Sequence, residues 1–319
     1  MKKLTFYFLL TLALIMTGSG YVYSANEYFR SIASGNWNST STWEMSLNNS
    51  TWIPATLTPD ATSNFITIRY PNLVTVTANV SVDQLGIDSG TISINTGIIL
   101  TLLDGSGVDF TILKGGTVTG AGTFRNQGAG VEMNLRGGSN FNANLNVNTG
   151  ITYAFDYTTP YDGSLFGNVV IDAGATINGG TVTGRHLSIF GNVINNGTMT
   201  ASSTGGSYSI NGSSLVNNGV ITTPGILYFE DTTSVSGNGT FTPARTIVSG
   251  IVTMLTNVTY SPSSYFTLSP GAVLNPNGNT FTLTSGDMGL DVGAEISSPG
   301  TIRTQNTVRF DIRPGSEFN

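Results

Sequence analysis

The chain has 319 residues, of which 40 are glycine and none is cysteine, with 9% charged residues and a net charge of −6. A charged share so far below the roughly 25% of ordinary soluble domains, with glycine, serine, threonine and asparagine in its place, excludes a coiled coil, a helical bundle, and a nucleic-acid binder that works by neutralising phosphates. Hydrophobic residues at 39% are too many for a disordered chain, and the missing cysteine rules out disulfides, thiolate metal sites and a catalytic thiol.

Residues 1–24 read as a secretory signal peptide. Lys2 and Lys3 form a positive start, Leu4 to Met16 an apolar stretch, and Val22-Tyr23-Ser24 a small-residue cleavage site before Ala25. The apolar stretch is shorter than the roughly 20 residues needed to span a bilayer, and no other segment is expected to cross a membrane. Cleavage would remove two lysines and take the net charge from −6 to −8.

Residues 25–60 hold all three tryptophans, Trp37, Trp43 and Trp52, together with Pro54 and Pro59. A coiled β structure exposes an apolar stack at its end, which needs cover. The region is therefore read as an aromatic-rich N-terminal cap. The competing reading is an aromatic platform for sugar rings.

From residue 61 onward the chain repeats itself. Gly-Gly-Thr-Val-Thr-Gly occurs at 115–120 and at 179–184, and Asn-Asn-Gly at Asn195–Gly197 and again at Asn217–Gly219. Between the glycines lie short alternating runs such as Ile66-Thr67-Ile68, Val74-Thr75-Val76, Leu187-Ser188-Ile189 and Phe281-Thr282-Leu283, the period-2 signature of half-buried strands. Short strands that recur roughly every 21 residues describe the rungs of a solenoid. The expected fold is all-β: a right-handed parallel β-helix (β-solenoid) of about a dozen rungs over 61–319, the hand following the crossover rule for parallel strands. A longer repeat relates 122–142 to 300–319, with about ten of twenty positions identical. On that basis the chain is expected to be truncated within a second copy of a long unit, roughly 178 residues from one start to the next.

The pattern Gly35-x-Trp37-x-Ser39-x-x-Thr42-Trp43, then Pro54 or Pro59, then Ile66–Ile68 and Val74–Thr77, resembles the opening of parallel β-helix modules in large secreted proteins of the Bacteroidetes, the Ignavibacteria and their relatives. Ser269 to Thr280 looks like a rung of the same proteins. The resemblance implies a pectin lyase-like fold and export to the bacterial outer surface, by a type IX secretion route in many such proteins. It also implies an adhesin-like, non-catalytic structural role, with extracellular polysaccharide or other surface proteins as partners.

Enzymes share this fold, so a catalytic constellation is a competing expectation. His186 is the only histidine and lacks the flanking glycines of a polygalacturonase-like site. Asp156, Asp162 and Asp172 fall within about one rung, with Arg185 roughly a rung further. These are the candidate residues of the alternative reading, a polysaccharide lyase or glycoside hydrolase with carboxylates around an ion and an arginine base. Asp104-Gly-Ser-Gly-Val-Asp109 is half of a calcium-binding nonapeptide, but such sites need the motif in tandem, so a glycine-rich turn is expected. Asp287, Asp291 and Glu295 read as solvated turn acids. No cofactor and no metal site are expected.

Overall fold

The computed structural model describes residues 26–155, 163–179, 186–201, 205–297 and 299–319. Among them the chain is all-β, with 38 strands, no α-helix and one 3₁₀ turn at Thr40–Thr42. Parallel coils stack into a solenoid of about eleven turns. Each regular turn lays down three short strands, so the stack has three faces. Faces I and II belong to a 25-stranded sheet and face III is a 13-stranded sheet.

One turn shows the scheme. Val193–Asn195 lies on face I, Thr198–Thr200 on face II and Ser207–Ile210 on face III. The chain then returns to face I, where Leu215 stands beside Val193, and Val235 beside Leu215. The step along the chain is not constant: Thr233 is followed by Val252, whereas Leu145 is followed only by Val169, a longer turn. Alternation sends every second side chain inward. On face III one inward column runs Ile189, Ile210, Phe229, Val248, Leu268, Leu290, all buried. Each such residue contributes roughly 1.5–3 kcal/mol of burial free energy, so the core grows by repetition without needing disulfides.

The Asn-Asn-Gly repeat has a structural cause. Asn195 and Asn217 are fully buried, and Asn195 donates to the Asn217 side-chain oxygen at 2.8 Å. Asn217 in turn donates to the Thr240 carbonyl at 3.1 Å, so both buried side-chain N–H groups find acceptors across the rungs, while the Asn195 side-chain oxygen has no partner. A Cβ at Gly219 would sit on the Gly197 carbonyl oxygen, so the close approach of successive backbones requires glycine there.

At the N-terminal end Tyr28–Ser31 pairs in parallel with Phe65–Arg69, while Trp43–Ser46 runs antiparallel along its other edge and Ile53–Pro54 follows outside. Trp37 and Trp43 are buried, at 3% and 0% exposure, and meet edge to face with ring centroids 5.0 Å apart. Trp43 Nε1 donates to the Trp37 carbonyl at 2.7 Å and Trp37 Nε1 to the Pro59 carbonyl at 2.9 Å. Rings buried in this way are not open to a sugar. Trp52 instead lies under the Arg30 guanidinium, 4.0 Å from its ring centroid.

The related segments 122–142 and 300–319 occupy different faces. Thr123–Leu135 crosses faces I and II as one long strand and Asn140–Phe141 lies on face III. Their counterparts Thr301–Thr304, Phe310–Ile312 and Glu317–Phe318 lie on faces II, III and I. The recurrence is thus a strand–turn–strand motif displaced by one face, because its spacing is not a whole number of turns.

Candidate functional site

Of the candidate acids, Asp172 follows Val169–Ile171 as the chain leaves face I. Its Oδ2 accepts from Asn148 at 2.8 Å and Asn146 at 3.1 Å, so it braces the neighbouring rung. Asp156, Asp162 and Arg185 lie outside the described residues, as does most of the second Gly-Gly-Thr-Val-Thr-Gly segment.

The half-nonapeptide forms a corner between faces I and II. Asp109 is fully buried and accepts the backbone N–H groups of Gly105 and Glu132, both at 2.8 Å. Asp104 accepts that of Gly130 at 3.0 Å. Asp83, one rung earlier, lies against Gly105. Burial pushes the Asp83 carboxyl up, and the charge of Asp104 adds to it. Burial also raises Asp109, against the pull of its bonds from Glu132 and Gly105, while Asp104 and Asp83 push the same way as burial. Asp104 and Asp109 act as clamps on backbone N–H groups. Among the described residues no three histidines or carboxylates are grouped to hold a metal ion.

Side chains gather instead on the outer face of the 13-stranded sheet. One outward column runs His186 to Ser207, then Ile226, Arg245, Tyr265 and Asp287; the next runs Ser188, Ser209, Tyr228, Ile247, Thr267, Gly289 and Asp311. The alternation that buries Leu187, Leu227 and Phe266 turns these residues outward. Two grooves of about 470 and 530 Å³ meet at Arg245. The first holds His186 and Tyr228, whose rings lie 5.2 Å apart. The second holds Tyr265, Asp287, Asp291, Arg309 and Arg313. Asp287 and Asp291 therefore belong to a groove, where the sequence suggested solvated turns. Asp287 accepts the Arg309 backbone N–H at 3.2 Å and Asp291 pairs with Arg313 at 3.2 Å. Arg245 Nε is buried without a hydrogen-bond partner, an unspent donor at the junction. Tyr265 is 47% exposed.

A third groove, of about 520 Å³, lies toward the N-terminal end of the same face, lined by Arg136, Gly138, Ser139, Asn140, Ser164, Phe166 and Ser188. Beside it Phe166 and Phe190 stack on adjacent rungs, centroids 4.9 Å apart and planes 11° apart, each more than 40% exposed. A signal for them does exist in the sequence: Phe-Gly-Asn-Val occurs at 166–169 and again at 190–193. Gly191 lies against the Gly167 carbonyl, and the Asn192 backbone N–H donates to the Asn168 side-chain oxygen at 3.0 Å, so the motif repeats the rung geometry and aligns the rings.

No helix among the described residues is long and apolar enough to cross a membrane. No family model matches the chain, and no curated protein or solved structure matches it either.

Proposed function

We propose that the protein is a non-catalytic, adhesin-like rod of the bacterial outer surface that binds extended polysaccharide along the outer face of its 13-stranded sheet. The observation that carries this reading is the pair of grooves joined at Arg245, which line up His186, Tyr228, Tyr265, Arg309 and Arg313 along one outer face. Adjacent strands are about 4.7–4.9 Å apart, an advance similar to that of one ring in an extended glycan. Successive rungs can then meet successive sugars, and a weak contact repeated along a stiff stack adds up. In the same reading residues 1–24 direct export and residues 25–60 cover the first turn of the core.

The competing reading is a polysaccharide lyase or hydrolase using Asp156, Asp162, Asp172 and Arg185. The commitment of Asp172 to two asparagine amides favours the non-catalytic one. Affinity electrophoresis of the purified chain against neutral and acidic polysaccharides tests the proposal. Retardation that weakens about tenfold in Tyr265→Ala and Arg245→Gln, with no new reducing ends, supports it. Release of reducing ends or unsaturated sugars, abolished by Asp172→Asn, would establish the enzyme instead.

A further inference from the structure

We propose that the groove at Arg136 is a separate subsite for a carboxylated pyranose, a residue of the hexuronic acid class, gripped by Arg136 and Lys114 and stacked on the Phe166–Phe190 pair. Three independent observations converge there.

The first is the exposed, near-parallel phenylalanine pair. Large apolar rings held open to solvent mark a contact surface. Stacked on each other, the two rings leave an outer ring face and their edges to solvent, and an open ring face can pack on the C–H face of a sugar ring, a contact that rings provide beyond the area they bury.

The second is charge. The chain is acidic overall, yet among the described residues the charged groups at this mouth are cations, Arg136 and Lys114. Lys114 lies one rung back with its stem packed over Gly138, a residue of the groove wall. Neither Lys114 nor Arg136 is ion-paired to any described residue, whereas Arg30, Arg69 and Arg313 are.

The third is Arg136 Nε, buried without a hydrogen-bond partner. A buried unpaired donor is costly, and a guanidinium with Nε free can meet a carboxylate through two parallel bonds. Ser139, Asn140, Ser164 and Ser188 line the same groove and supply donors and acceptors for ring hydroxyls.

The choice of a saccharide rests on the polysaccharide reading above; the choice of a carboxylate and of this groove does not. The test is titration calorimetry of the full chain with a trigalacturonate and with its carboxyl-reduced, neutral counterpart. Arg136→Gln should weaken trigalacturonate binding about tenfold or more and leave the neutral sugar unchanged. Arg136→Lys keeps the charge but loses the fork, and should recover only part of the loss. Phe166→Ala and Phe190→Ala, both at exposed positions, should weaken both sugars. Circular dichroism confirms that each variant is folded. Equal affinity for the charged and neutral sugars, or trigalacturonate binding indifferent to Arg136→Gln, overturns the subsite. If binding responds to Arg245→Gln and not to Arg136→Gln, the polysaccharide reading stands and this subsite falls. If no saccharide binds at millimolar concentration, both fall.

Discussion

Two buried tyrosines provide a matched test of how the stack is held together. Tyr208 and Tyr260 are both fully buried, and burial pushes both hydroxyls well above the ordinary tyrosine value. They differ in partners. The Tyr208 hydroxyl lies 2.7 Å from the Thr200 carbonyl and 3.0 Å from that of Ile177, while the Tyr260 hydroxyl has no partner. Both substitutions by phenylalanine keep the ring. At 260 the ring stays stacked 4.4 Å from Phe241 and within 5.4 Å of Phe266 and Phe281. Tyr208→Phe removes a hydrogen bond to backbone carbonyls and should cost about 1–2 kcal/mol. Tyr260→Phe removes only a desolvated, unbonded hydroxyl and should be neutral or stabilise by up to about 1 kcal/mol. The two variants should therefore shift in opposite directions, or one should shift and the other not. Guanidinium denaturation gives the comparison. Because long repeat arrays can unfold in parts, amide exchange of Ser207–Ile210 and Val258–Tyr260 should accompany it. Spectrophotometric titration adds a check: at about pH 11, one unit above the ordinary tyrosine value, both hydroxyls should remain protonated in the folded chain, so neither variant changes the number that have ionised. A loss of more than about 1 kcal/mol in Tyr260→Phe would refute the reasoning, since that hydroxyl would then be making a bond.

Further predictions concern the stacking, the corner and the N-terminal end. Gly219→Ala drives a methyl group into the Gly197 carbonyl and should destabilise by about 1–3 kcal/mol, read from the denaturation midpoint; an unchanged midpoint would contradict the close approach. Asp83 and Asp109 have raised carboxyls, so the folded state binds more protons than the unfolded chain, and their contribution to stability should grow as pH falls through the raised value toward 3.8. Asp83→Asn should accordingly raise the melting temperature at pH 7 and lose that advantage near pH 4; a variant less stable than the parent at pH 7 would reverse the sign. Trp43→Ala should cost about 3–5 kcal/mol and open the first turns to proteolysis before the Arg245 region; cleavage spread evenly along the chain would show that Trp43 has no local role.

Much of the architecture was legible in the chain itself. Alternating runs such as Leu187-Ser188-Ile189 identify strands and their inward residues, because a period of two leaves only one face apolar. The Asn-Asn-Gly spacing identifies a rung, because glycine lets one backbone lie on the next and the Asn195 side chain finds an acceptor in Asn217 one rung on. What the folded stack decided is which residues become neighbours. Turn length varies, with Thr233 to Val252 a short turn and Leu145 to Val169 a long one, and these differences accumulate along the coil. Counting along the sequence therefore could not show that 300–319 lands one face away from 122–142, or that Arg136 and Phe166, on different turns, share one groove. Nor could it show that Asp172 would be held by asparagines of the preceding rung. Local chemistry dictates each strand and each bend, whereas the lateral position of every outward side chain is the sum of all the turns before it.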